Sequence, residues 1–180
     1  MDNLGTKLGY AEYCAIPEDG QRHEIIGGAH FVNPAPGFSH QSVLVALTAS
    51  LYVAVDPSGL GTVLVAPFDV QLSEHDIVQP DIVVVLTSTA NVITDSRILG
   101  SPDLVVEILS PSTEKHDRER KFALYEKSGV REYWIVDTAE RVVLQHALVD
   151  GRYQLIASAR EAIRLHVLPD IEINLARVWA

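Results

Sequence analysis

The sequence predicts an α/β protein in which a central mixed β-sheet is flanked by helices and carries additional antiparallel hairpins. Short segments rich in valine, isoleucine and leucine recur along the chain, as is typical of strands. One long segment repeats its apolar side chains at helical spacing, and a second helical segment follows the most apolar strand. No repeat, low-complexity tract or linker divides the chain, so we expect one domain over residues 1–180.

The N-terminal third is expected to contain a short helix, a hairpin and a long helix. Residues 6–15 predict the short helix. The segment "RHEIIGGAHFVN" predicts two strands joined at Gly27 and Gly28, because paired glycines favour a tight turn. The segment "HQSVLVALTASLYVAV" predicts the long helix, with Ser39 as its N-cap and an end before Pro57.

The middle of the chain is expected to consist mainly of strands. The segments "TVLVAP" and "FDVQLS" are predicted to pair with each other, and "IVQPDIVVVL" is predicted to be a strand interrupted at Pro80. A looser polar stretch follows from Thr87 to Pro102. The continuous apolar character of "LVVEIL" then favours a strand in the middle of a sheet, covered on both faces.

The C-terminal part is expected to return to a helix and then to strands. Ser112 or Thr113 can cap a helix over "STEKHDRERKFALYEKSG", and Gly129 stands where a left-handed C-cap is favoured. "REYWIVD" predicts a strand, and "RVVLQHALVDGRYQLIAS" predicts a hairpin that turns at Asp150 and Gly151. "INLARVWA" is predicted to be a last short helix.

The charge and the cysteine content exclude several classes of protein. The net charge of −10 and the pI of about 5.0 argue against a protein whose overall field attracts nucleic acid. Cys14 is the single cysteine, so an intrachain disulfide and a cysteine-based zinc site are both excluded. We expect a cytoplasmic protein, because a secretory signal is not apparent and apolar runs fall short of the roughly 20 residues of a membrane helix.

Glu107 is the residue that points to chemistry, because it is a carboxylate within the apolar strand segment "LVVEIL". An ionised carboxylate in an apolar interior costs several kcal/mol unless a cation or several donors compensate it. Asp81 opens the preceding core strand and Glu24 lies in the apolar segment "HEII". If the strands are neighbours, the three acids converge at one place.

Lys121 offers a cation for this cluster, since it lies on the predicted helix after the Glu107 strand. Asp117, Lys121 and Tyr125 are spaced at i, i+4 and i+8 and share one helix face. Carboxylates with a lysine predict a magnesium site for phosphodiester hydrolysis. The alternative is a structural ion pair between Glu107 and Lys121, with Asp81 an ordinary acid at a strand start.

The segments "VQPDIVVV", "PDLVVEILSPST" and "YEKSGVREYWIVD" together resemble the Uma-type family of bacterial restriction endonucleases, within the PD-(D/E)xK nuclease superfamily. The likeness extends to "IPEDGQRHEIIGG" and "FSHQSVLVALTASL". It implies a restriction endonuclease-like fold, and a nuclease that uses Mg²⁺ or Mn²⁺ to cleave DNA.

The resemblance assigns roles to individual residues. Asp81 and Glu107 would be the metal-binding acids, and Glu24 an acid contributed by the N-terminal element. The usual lysine of the superfamily lies two residues after the second acid, but Leu109 occupies that position here. The resemblance therefore implies that Lys121 takes the catalytic lysine's role.

Two further residues are predicted to contact substrate. The resemblance makes His40 a candidate for binding a phosphate or the acidic cluster, with a loop-holding role as the alternative. Gln79 is placed beside Asp81 by sequence, and an ordinary polar residue at a strand edge is its alternative.

These observations give two main hypotheses for the function, beside a third class, a metal-dependent hydrolase that acts on a small phosphoester. The first is an Mg²⁺-dependent endonuclease whose candidate catalytic residues are Asp81, Glu107, Lys121 and Glu24. The second is a non-catalytic homodimeric interaction protein that keeps the fold and its acids. The second is favoured by the acidic charge, by Leu109 at the lysine position, and by a mean hydropathy of +0.13, which indicates a buried self-association face.

Overall fold

The computed structural model describes residues 7–109 and 117–179. Its helices are α1 (Tyr10–Cys14), α2 (Phe38–Val55) and α3 (Phe122–Ser128). Its strands are β1 (Arg22–Ile26), β2 (Ala29–Asn33), β3 (Gly61–Val65), β4 (Asp69–Ser73), β5 (Asp76–Val78), β6 (Ile82–Leu86), β7 (Arg97–Leu99), β8 (Leu104–Ile108), β9 (Glu132–Asp137), β10 (Val142–Val149), β11 (Arg152–Ala159), β12 (Ala162–Arg164) and β13 (Glu172–Asn174).

The strands form two larger sheets and a separate hairpin. The N-terminal sheet has the order β2-β1-β5-β4-β7, and the central sheet has the order β11-β10-β9-β8-β6-β3. Strand β8 pairs parallel with β9 and antiparallel with β6, so the central sheet is mixed. The predicted α/β architecture is confirmed, and so is the position of "LVVEIL" inside the sheet.

Each face of the central sheet is covered by a different layer. On one face, α2 and the β12–β13 hairpin pack against apolar side chains that include Leu104, Val106 and Ile108. On the other face, the N-terminal sheet and α3 pack against Val105 and Leu109. Alternate side chains of β8 point to opposite faces. Glu107 therefore belongs to the face that the N-terminal sheet and α3 cover.

The chain crosses between the two sheets at Pro80. The segment "IVQPDIVVVL" forms β5 in the N-terminal sheet and then β6 in the central sheet, so the predicted interruption separates two strands of different sheets. This crossing brings the residues between them, Gln79 to Asp81, to the junction of the two sheets.

Several elements differ from the prediction. The strands of "TVLVAP" and "FDVQLS" are not partners, because β3 pairs with β6 while β4 pairs with β5 and β7. The N-cap of α2 is Gly37 rather than Ser39, and α1 begins at Tyr10. The C-terminal segment gives β13 and a 3₁₀ turn over Leu175–Arg177 in place of a helix. The predicted caps Ser112 and Thr113 lie outside the described residues.

The turns were predicted more accurately. The hairpins β1–β2 and β10–β11 form as expected, with left-handed backbone at Gly27, Gly28, Asp150 and Gly151. Gly129 ends α3 with φ 83°, which is the predicted left-handed C-cap.

Helix α2 differs from the expectation that every apolar run is too short for a membrane helix. By length and composition alone, its 18 residues suffice to cross a membrane. Core helices meet the same test, and one side of α2 is buried through His40, Val43, Leu47, Leu51 and Val55. The opposite side exposes Phe38, Val45 and Val53.

A second buried carboxylate holds the C-terminal part of the fold. Glu132 in β9 is fully buried, and its Oε1 accepts hydrogen bonds from Trp134 Nε1 and Gln145 Nε2, each at 2.6 Å. Its Oε2 accepts from the backbone N–H of Val167 at 2.8 Å. Because these donors come from separate segments, this acid joins the central sheet to the chain near the β12–β13 hairpin.

Candidate active site

Three acids are buried where the N-terminal sheet meets the central sheet. Glu24 on β1 is 0% exposed, while Asp81 before β6 and Glu107 on β8 are each 2% exposed. The pairing of Ile82 with Val106 continues to place Asp81 opposite Glu107. The convergence inferred from the sequence therefore occurs, with one acid from each of three segments.

Lys121 joins two of these acids. Its Nζ lies 3.0 Å from Glu24 Oε1 and 2.9 Å from Glu107 Oε1, and the lysine side chain is 2% exposed. The N-terminal sheet contributes Glu24 and the central sheet contributes Glu107. One ammonium therefore bridges the two sheets, and it provides the opposite charge that buried carboxylates require.

The helix after β8 directs two side chains at Glu107. A π-helical turn over Asp117–Lys121 leads into α3, so Lys121 and Tyr125 lie one turn apart. The Tyr125 hydroxyl donates to Glu107 Oε1 at 2.7 Å. Burial and the nearby negative charges of Glu107 and Glu24 raise the pKa of Tyr125 well above its ordinary value. The tyrosine therefore acts as a neutral donor to the carboxylate.

Arg22 forms an ion pair with Asp81, the third acid of the cluster. Its Nη1 lies 3.0 Å from Asp81 Oδ1, and its Nη2 donates to the carbonyl oxygen of Gln79. Burial lowers the pKa of Arg22, but the charges of Asp81, Glu107 and Glu24 raise it further than burial lowers it. Arg22 therefore remains a cation and lies within electrostatic reach of all three acids.

His40 and the backbone of β8 hold the second oxygen of Asp81. His40 Nε2 lies 3.0 Å from Asp81 Oδ2, and the Ile108 N–H donates to the same oxygen at 2.9 Å. His40 is 7% exposed and lies in the first turn of α2. The structure thus brings His40 to the acidic cluster, which is one of the roles predicted for it, while contact with substrate stays a prediction.

Gln79 contributes its backbone to the cluster and its side chain to a neighbouring cavity. Its N–H donates to Glu24 Oε1 at 2.9 Å. Its side-chain amide instead donates to Tyr13 Oη at 3.0 Å and to Asp69 Oδ1 at 2.9 Å. These three side chains line a cavity of about 730 Å³ between α1 and the N-terminal sheet. The predicted contact of Gln79 with substrate is untested.

The cluster keeps Glu24 and Asp81 ionised despite their burial. Burial raises the pKa of Glu24, but Lys121, the Gln79 N–H and the Asn33 side chain outweigh it and hold the pKa below its ordinary value. Burial likewise raises the pKa of Asp81, but His40, Arg22 and the Ile108 N–H together lower it by more. The pKa of Asp81 is therefore also below its ordinary value. Both groups are therefore carboxylates at neutral pH.

The donor set of Asp81 and Glu107 fits a hard divalent cation. Magnesium is commonly held by one or two protein carboxylates, with waters completing its octahedron. Within residues 7–109 and 117–179, no group of three or more His, Cys, Asp and Glu side chains is arranged to hold a metal ion. A metal at Asp81 and Glu107 would thus depend on water or substrate oxygen for its remaining ligands.

The predicted candidate catalytic residues Glu24, Asp81, Glu107 and Lys121 lie together in the structure, while sequence reasoning missed Arg22 and the hydroxyl of Tyr125. Leu109, at the usual lysine position, is 6% exposed within the apolar layer. Arg22 sits two residues before Glu24 on the same strand. In a strand these two side chains share a face, and this spacing was the available signal.

Comparisons with known proteins bear on the family and the fold of this chain. The model of the Uma2 family, described as "Putative restriction endonuclease", matches residues 10–176. The fold is similar to the crystal structure of a protein from Anabaena variabilis ATCC 29413 described as a "putative nuclease belonging to DUF820". That match has a TM-score of 0.78 and 18% sequence identity, and it covers 96% of this chain and 97% of the other. A search of curated proteins found no match.

Proposed function

Because this chain belongs to the Uma2 family of restriction endonuclease-like proteins, we propose that it is a metal-dependent endonuclease that hydrolyses phosphodiester bonds of DNA. The observation that supports this proposal is the shared ion pairing of Lys121 with Glu24 and Glu107, beside Asp81. Buried acids with shifted pKa values, gathered with fixed cations, are typical of functional sites. We further propose a cytoplasmic location, consistent with a single free cysteine.

Each residue has a separate role in the proposed reaction. Asp81 and Glu107 would hold Mg²⁺ or Mn²⁺, which when bound polarises a phosphate and lowers the pKa of a coordinated water. Lys121 supplies a fixed positive charge beside Glu107, where it stabilises negative charge that develops on a phosphate. Tyr125 and Glu24 hold Glu107 and Lys121 in place, and His40 orients Asp81.

The test is cleavage of supercoiled plasmid DNA by wild type and Glu107→Gln in millimolar MgCl₂ or MnCl₂. We expect wild type to nick the plasmid and Glu107→Gln to fall to background while it remains folded by circular dichroism. Glu161→Gln, at an exposed position outside the cluster, is the matched control and should cleave like wild type. Metal-dependent cleavage that persists in Glu107→Gln would indicate contamination or a different site.

A non-catalytic homodimer is the second candidate function. Its specific support is the apolar outer side of α2, where Phe38 is 88% exposed and Val53 is 71% exposed. Apolar side chains exposed along one helix favour association with a similar surface. This candidate predicts a dimer by sedimentation and no heat of Mn²⁺ binding at millimolar metal, whereas the nuclease requires such binding.

A further inference from the structure

Arg22 and Lys121 differ in how they are held. Of these two permanent cations, Arg22 is the more exposed, with 23% of its side chain exposed against 2% for Lys121. Lys121 contacts two carboxylates, whereas Arg22 forms an ion pair with one, Asp81, and donates to the carbonyl oxygen of Gln79. Arg22 can therefore move toward solvent without drawing a buried cation through the core.

The position of Arg22 is also incompletely satisfied. Its Nε is buried and has no hydrogen-bond partner within the part of the chain that the structure describes. A buried donor without a partner has lost its hydrogen bonds to water without gaining one in the protein, which destabilises this position. This cost partly offsets the attraction of the guanidinium to Asp81. Arg22 is therefore held in its observed position less firmly than its ion pair suggests.

The two oxygens of Asp81 have partners of different kinds. Oδ2 is held by the Ile108 N–H and by His40, both within the buried structure. Oδ1 is held by Arg22. A divalent cation that binds Asp81 at Oδ1 competes with the like charge of Arg22, and Arg22 is the partner of Asp81 that has access to solvent.

We propose that Arg22 is an exchangeable counter-ion of Asp81, which yields Oδ1 to a divalent cation and then binds a phosphate of the substrate. This inference rests on the proposed nuclease function and names a residue that contacts its substrate. Three carboxylates face two permanent cations in the cluster, so an added divalent ion reverses the sign of the local charge. The released guanidinium then has a better partner in a phosphate, which it binds through two parallel hydrogen bonds.

The test measures metal affinity in the absence of DNA. Isothermal titration of MnCl₂ into wild type and Arg22→Met is compared with Arg131→Met, which removes a similar 3.0 Å ion pair to Asp103 outside the cluster. We expect Arg22→Met to bind Mn²⁺ about tenfold more tightly, equivalent to about 1.4 kcal/mol, and Arg131→Met to match wild type. At saturating Mn²⁺, Arg22→Met should cleave plasmid DNA with a raised KM.

An affinity of Arg22→Met for Mn²⁺ that is equal to or weaker than that of wild type overturns the inference. If Arg22→Met does not fold, Arg22→Lys keeps the charge with fewer donors and should bind Mn²⁺ more tightly than wild type; equal affinity would again overturn it. A failure of the proposed nuclease function can be distinguished from a failure of this inference. Loss of cleavage in Glu107→Gln together with unchanged affinity in Arg22→Met leaves the nuclease standing and removes Arg22 from its mechanism.

Discussion

Lys121 Nζ lies 2.9 Å from Glu107 Oε1, although these residues are 14 positions apart in the sequence and lie on different elements. The same ammonium lies 3.0 Å from Glu24 Oε1 in the other sheet. Two buried carboxylates thus share one buried cation, and each of them would carry a large desolvation cost without it.

Removing the shared cation should strongly destabilise the fold. Lys121→Met leaves Glu24 and Glu107 buried without their ammonium, and breaking a buried ion pair typically costs about 3–5 kcal/mol. We expect a loss of this size in the free energy of unfolding, measured by urea denaturation. Lys127→Met, at an exposed position of α3, should change stability by less than about 0.5 kcal/mol. Equal effects of the two variants would contradict a structural role for the bridge.

A lysine at position 109, where the superfamily pattern places it, should replace part of the charge that Lys121 provides. Leu109 follows Glu107 by two residues and lies on the same face of the sheet. A lysine there can bring its ammonium toward Glu107, so Leu109→Lys in the Lys121→Met background should recover part of the lost stability. Urea denaturation of both single variants and the double variant gives the coupling between the sites. A double variant less stable than Lys121→Met would show that position 109 cannot supply the charge.

The buried acids should make stability depend on pH in a defined direction. The pKa of Glu24 is lower in the folded state than its ordinary value, so its contribution is present above about pH 4.3, the ordinary glutamate pKa. It is lost as the pH falls through the folded-state pKa. The difference in unfolding free energy between wild type and Glu24→Gln should therefore be largest near neutral pH and shrink on acidification below about pH 4.3.

The measurement is urea denaturation of both proteins across this range. The pKa of Asp81 is also lowered, but Asp81 is present in both proteins. The difference between their unfolding free energies therefore reports on Glu24. Glu18→Gln, an exposed acid, should follow wild type at every pH. A difference that stays constant or grows in acid would mean that Lys121 and the Gln79 N–H do not stabilise the charged form of Glu24.

The second buried carboxylate is expected to stabilise the fold without contributing to the chemistry. In Glu132→Gln, an amide group meets the donors of Trp134, Gln145 or Val167 in place of a carboxylate oxygen. At least one buried donor then lacks an acceptor, which costs about 1–3 kcal/mol. We expect a lower midpoint in urea and unchanged Mn²⁺ affinity; unchanged stability would contradict this account of the network.

The acidic cluster was predictable from sequence because of where its acids lie. Glu107 stands within "LVVEIL" and Glu24 within "HEII", and a carboxylate among apolar strand residues needs a compensating cation. Lys121 followed from the packing of a helix onto its own strand. These inferences required only local pattern and general electrostatics.

The residues that sequence reasoning missed depend on contacts between distant segments. Arg22 pairs with Asp81 across 59 positions, and that contact exists only because β1 pairs with β5 next to the crossing at Pro80. The incorrect pairing of "TVLVAP" with "FDVQLS" has a related cause. Both segments are strands separated by a short connection, which favours a hairpin locally, but each finds its partner in a different sheet.

The bridge at Lys121 also has a consequence for the order of events during synthesis. Glu24 leaves the ribosome long before the lysine that neutralises it, and the strand that carries Glu24 belongs to a sheet built entirely from earlier residues. Until Lys121 has been synthesised, burial of Glu24 in that sheet carries the desolvation cost of a charge without this cation. The first half of the chain is therefore expected to fold only once the second half is present. The two halves then fold together in one cooperative step rather than as separate units.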